Sequence, residues 1–109
     1  MIFTLGKPLL EALVLALVSQ EPFGLYGYKI QKYIQEYFDI SESAIYTCLK
    51  TLQKKGDLEN YNIQCNGRNR TYYKITKSGR TRLNFYSKEW YEYSKKIYTL
   101  LSAEPATKN

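Results

Sequence analysis

Asn66-Gly67 lies between two tyrosine-rich segments, one carrying Leu58, Tyr61 and Ile63, the other Tyr73 and Ile75. The tightest hairpin turn needs positive φ at both central residues. Asparagine and glycine tolerate that best, so the two segments are expected to pair as antiparallel strands. An isolated two-stranded hairpin is marginal in water, and this one must pack against helices to persist. Directly before it, Ile45, Leu49 and Leu52 recur at helical spacing until Gly56 ends the pattern, so a helix runs straight into the hairpin.

Upstream, Pro8 suits a first helical turn, and Leu9, Leu10, Leu13, Val14, Leu17 and Val18 define a helix over residues 8–20. Glu21-Pro22-Phe23-Gly24 breaks it. Tyr26, Ile30, Tyr33, Ile34 and Tyr37 then mark a second helix over residues 25–37. Ser41 can accept from the free amides of the following turn, with Glu42 complementing the helix dipole. The short turn between these helices has the spacing of a helix-turn-helix, and the hairpin becomes a wing attached to it. Thr76 caps a last helix that runs to about Ser102. The expected fold is mainly α with a small β wing: a winged helix-turn-helix over residues 1–76, a long C-terminal dimerisation helix over 77–102 and a flexible tail over 103–109.

Charge is unevenly placed. Residues 43–80 carry eight basic side chains against Asp57 and Glu59, while the remainder balances at eight of each, so the whole excess of +6 is local. A cationic helix and hairpin suit a polyanion. Catalysis is disfavoured: the sequence has no histidine, and Cys48 and Cys65 lie outside any CxxC pattern, so neither a metal site nor a Cys/His nucleophile can be assembled. No cofactor is expected, and both thiols should be free. The longest apolar run, Ala12 to Val18, is far short of the roughly 18 residues of a membrane span. A cytoplasmic protein without membrane contact follows.

The second helix of a helix-turn-helix enters the major groove by its first turns, which here present Ser43, Tyr46, Thr47 and Lys50. Ser43 and Thr47 can reach base edges or phosphates, and Lys50 a phosphate or a guanine. Tyr46 has two roles open, a phosphate contact or a ring packed under the wing. Arg68, Asn69 and Arg70 crowd the hairpin tip, where they can follow the backbone or enter the adjacent minor groove. Tyr72 and Tyr73 must lie on opposite faces of their strand, so the pair alone forms no base-stacking platform. Double-stranded DNA is the expected partner. A protein-interaction module that uses the same surfaces without DNA is the second reading.

On the last helix Leu83, Tyr86, Trp90, Tyr93, Ile97 and Leu100 recur in alternating steps of three and four. Such a heptad seam suits burial against a second copy, giving a homodimer. Packing on the first helix alone is the alternative.

Three motifs resemble the PadR family of winged-helix transcriptional regulators: Tyr26-Gly27-Tyr28-Lys29-Ile30, the helix running from Ala44-Ile45-Tyr46-Thr47 to Gly56, and the wing from Gly67-Arg68 through Tyr72-Tyr73 to Gly79. The resemblance covers Leu10 to about Leu101. It implies a homodimeric repressor on an inverted repeat, with the C-terminal helix exchanged across the dimer. Tyr26, Thr47 and Thr71 replace the family's usual histidine, proline and lysine; the first two are tolerable, and with Thr71 the resemblance does not imply the phosphate contact of the wing lysine. Some members sense small aromatic molecules, and a multidrug-binding member carries a tryptophan on the last helix at the offset from Gly79 that Trp90 has here. A ligand held at Trp90 is therefore one implication; a closed aromatic interface is the other.

Overall fold

The computed structural model describes residues 2–103. Its elements are α1 (Lys7–Ser19), β1 (Leu25–Tyr26), α2 (Gly27–Tyr37), α3 (Glu42–Lys54), β2 (Leu58–Cys65), β3 (Arg68–Ile75) and α4 (Lys77–Leu101). The expected tail lies, from residue 104 on, outside the described residues.

Local signals account for most boundaries. The Ser41 hydroxyl accepts from the Ala44 amide at 3.1 Å to start α3, and Thr76 does the same for Gly79 at 3.0 Å to start α4. Asn66 and Gly67 take φ of 53° and 76°, the paired left-handed conformation that their tight turn needs.

One boundary differs from expectation. Leu25 and Tyr26 do not open α2; they form β1, which pairs antiparallel with β3 through Leu25–Tyr73 and Tyr26–Tyr72. The sheet therefore has three strands in the order β1-β3-β2. Gly24 makes this possible. At its φ of 93° a Cβ would lie 2.7 Å from the Tyr73 carbonyl oxygen, so a side chain there would push β1 off the sheet.

The core joins one face of α1, α2 and α3 to one face of the sheet: Val14, Leu15, Val18, Ile30, Ile45, Leu49, Leu52 and Leu58 are almost wholly enclosed. Two acids lie inside it. Asp57 has no exposure, receives hydrogen bonds from Ser78 (2.7 Å) and the Arg82 guanidinium, and lies where β2 leaves α3. Glu11 on α1 is also buried, and one of its oxygens takes both the Lys55 ammonium at 3.0 Å and the Tyr86 hydroxyl at 3.1 Å. Buried carboxylates persist only when paired in this way. Together they fix the start of α4 to the rest of the molecule.

Candidate nucleic-acid interface

Helix α3 buries Ile45, Cys48, Leu49 and Leu52 and therefore turns Ser43, Thr47 and Lys50 outward, where all are exposed. These three form one open polar strip. Tyr46 is different: its ring is half-buried, and a Cβ on Gly27 would come within 3.0 Å of it. The ring thus fills the contact between α3 and the start of α2. Burial, then the nearby Glu42 charge, then Tyr73 push its hydroxyl above the ordinary value of 10.0. The packing partner seen is the start of α2.

The wing divides the three residues grouped at its tip. Side chains alternate across a strand, and the register pairs Cys65 with Arg68, Gln64 with Asn69, and Ile63 with Arg70. Arg68 and Arg70 therefore share the outer face with Tyr72, while Asn69 shares the inner face with the buried Tyr73. On the outer face Tyr26, Tyr72 and Tyr61 form a row across all three strands, with neighbouring ring centroids 5.6 Å apart. The Arg70 guanidinium lies 4.7 Å over the Tyr26 ring, a cation–π contact that holds it along the sheet. The tyrosine row went unseen in the sequence because it needs β1, whose two residues carry no strand pattern of their own.

The inner face is polar beyond the core. Asn60 donates from Nδ2 to Gln53 Oε1 at 3.1 Å, tying the strand to the last turn of α3. Thr71 donates to Asn62 Oδ1 at 2.9 Å. This face continues from α3 outward along the wing.

On α4 the seam is used unevenly. Leu83 packs on the core of its own chain, and Tyr86 bonds to Glu11. Trp90, Tyr93, Ile97 and Leu100 all stay exposed, from 39% to 78%. Trp90, Tyr93 and Ile97 border an apolar groove of about 1020 Å³ between α4, the N-terminal segment and α1, lined also by Phe3, Leu9 and Phe38. Among the described residues no group of histidine, cysteine or acidic side chains is arranged to hold a metal, and no helix is long and apolar enough to cross a membrane.

Residues 14–85 match the transcriptional regulator PadR-like family. The chain belongs to that family. It is similar to a structurally characterised protein of Streptococcus mutans UA159, at 37% identity and a TM-score of 0.87 over 94% of this chain and 95% of that one. A PadR-like transcriptional regulator of Bacillus cereus is 31% identical with a TM-score of 0.79, covering 90% and 96% of the two chains. An uncharacterised protein of Lysinibacillus sphaericus is 33% identical across 76% of this chain and 79% of its own. As a PadR-like protein the chain is a DNA-binding transcription regulator, and the family's members are regulators rather than enzymes. The winged helix with its long last helix is the architecture of the PadR structures it resembles.

Proposed function

We propose that this PadR-like chain is a homodimeric repressor acting in the cytoplasm, which binds an inverted-repeat operator with α3 in the major groove and the wing beside it. In this reading residues 1–76 contact double-stranded DNA, residues 77–102 dimerise, and α4 is exchanged between protomers. The observation that carries it is the apolar side of α4. Its exposed residues Trp90, Tyr93, Ile97, Tyr98 and Leu100 spread over roughly half the circumference at 100° per residue, more than contact with α1 alone requires. Burying each large apolar side chain is worth about 1.5–3 kcal/mol, so a second copy has ample reason to cover them.

Ser43, Thr47 and Lys50 are the reading residues of α3. Arg68 and Arg70 supply charge to phosphates, Asn69 lies on the inner face of the wing, and Tyr46 positions α3 against α2. DNA affinity should fall linearly in log salt, with a slope of about −0.9 per phosphate neutralised. The double change Arg68→Glu and Arg70→Glu should reduce that slope and weaken retention on every duplex while leaving dimerisation intact. No measurable duplex binding by the wild type at low salt would reject the reading.

The groove beside Trp90 is the place for a small aromatic effector. Trp90 is the only tryptophan, so quenching of its fluorescence by planar compounds, with release of DNA, tests this directly. A silent panel would leave a closed dimer interface.

A further inference from the structure

We propose that the inner face of the wing reads the minor groove through the amides of Gln53 and Asn62, selecting A·T over G·C pairs. The inference rests on the duplex-binding reading above and adds to it a specificity element outside the first turns of α3.

The internal hydrogen bonds of that face orient its amides. Gln53 Oε1 accepts from Asn60, and Asn62 Oδ1 accepts from the Thr71 hydroxyl. With the oxygen engaged, each amide keeps an NH2 group, and that group only donates. Neither NH2 group donates to another described side chain. Both residues are exposed.

Position follows from register. Leu58 and Ile75 pair in the core, Asn60 pairs with Tyr73, and Asn62 pairs with Thr71, so the inner face leaves the core as a row that turns polar just beyond α3. Gln53, on the last turn of α3, is bonded to that row. In the proposed binding mode, with α3 in the major groove, the wing beside it would lie over the adjacent minor groove.

The minor-groove floor shows acceptors at A·T pairs, adenine N3 and thymine O2. A G·C pair adds the guanine amino group, a donor. Oriented NH2 groups therefore match A·T and oppose the guanine amine, and asparagine and glutamine are among the side chains that read this difference. Arg68 and Arg70 share the opposite face, and Arg70 is stacked on Tyr26. Their contribution is charge, which carries no sequence information.

The test begins with wild-type protein and a randomised duplex pool, from which the enriched site and its flanking preferences are read. The flank is then rebuilt with inosine–cytosine pairs, which keep the major-groove edge of G·C but lose the minor-groove amine. Expected are an A·T preference of about fivefold per pair, inosine–cytosine binding like A·T, and loss of the preference in Gln53→Ala and Asn62→Ala with the salt slope unchanged. Thr71→Val should weaken the preference by freeing the Asn62 oxygen, while Arg68→Ala with Arg70→Ala should lower affinity and salt slope and keep it. A site enriched without flank preference, inosine–cytosine binding like G·C, or a preference lost only with the arginines would overturn the inference and leave duplex binding standing. An unenriched pool would instead reject duplex binding itself.

Discussion

Gly79 shows how one missing methyl group sets where a helix can begin. A Cβ there would lie 2.2 Å from the Asp57 carbonyl oxygen and 2.8 Å from Ile75 Cγ1, so α4 could no longer start where it does. Gly79→Ala should cost about 1–3 kcal/mol through this overpacking, measured by urea denaturation, whereas a typical exposed substitution stays within about 0.5 kcal/mol. Cys48 gives the second prediction at this scale. Burial, then the Glu11 charge, push its thiol from 9.0 to about 12, with Lys55 opposing. A pKa raised by folding means that the unfolded chain ionises first, so its contribution to stability is intact below about pH 9 and is lost as pH rises toward 12. Tyr46 and Tyr73, both raised above 10.0 chiefly by burial, act in the same direction from there upward. Denaturation midpoints should therefore fall above pH 9, and a thiol reagent at pH 8 should label Cys65, which is only half-buried, while Cys48 reacts only on unfolding. Equal labelling of both in the folded state would contradict this.

Among the elements, α3 and α4 begin with the same type of cap and differ in what else it does. Ser41 accepts from Ala44, with only a 3.4 Å contact to Ser43 beside it. Thr76 accepts from Gly79 and also donates to the Gly56 carbonyl at 2.7 Å, binding the end of α3 to the start of α4. Ser41→Ala should cost about 1 kcal/mol, and Thr76→Ala should cost more because it removes a further hydrogen bond worth about 1 kcal/mol. Thermal melts of the two variants compared side by side decide the order. The caps were legible in the sequence, since each lies within a few residues of its partner. The Thr76–Gly56 bond was not, because it spans the whole hairpin.

For the molecule as a whole, the decisive contrast is between the two ends of α4. Its first turns are held by Asp57 and Glu11 through Ser78, Arg82 and Tyr86, and its later turns present Trp90, Ile97 and Leu100 to solvent. A charge at Ile97 should therefore leave the winged helix folded. On the proposed dimer, Ile97→Glu is expected to give a monomer in sedimentation, to lower affinity for a full inverted repeat at least tenfold and to spare binding to a half-site. A variant that stays dimeric would place the interface elsewhere.

What the sequence determined by itself is the succession of elements: helical periodicity, the two caps, Asn66-Gly67 and the concentration of charge in residues 43–80 all act over a few residues, where side-chain and backbone preferences suffice. Tertiary structure decided the rest. Leu25 and Tyr26 became a strand only because β3 offers a free edge, and the tyrosine row exists only across that pairing. Asp57 and Glu11 look like ordinary surface acids until packing brings donors to them from distant positions. The wing's alternation was written in its residues. Which side faces α3 depended on Leu58, Tyr73 and Ile75 being drawn into the core, since burial, not local preference, orients a strand.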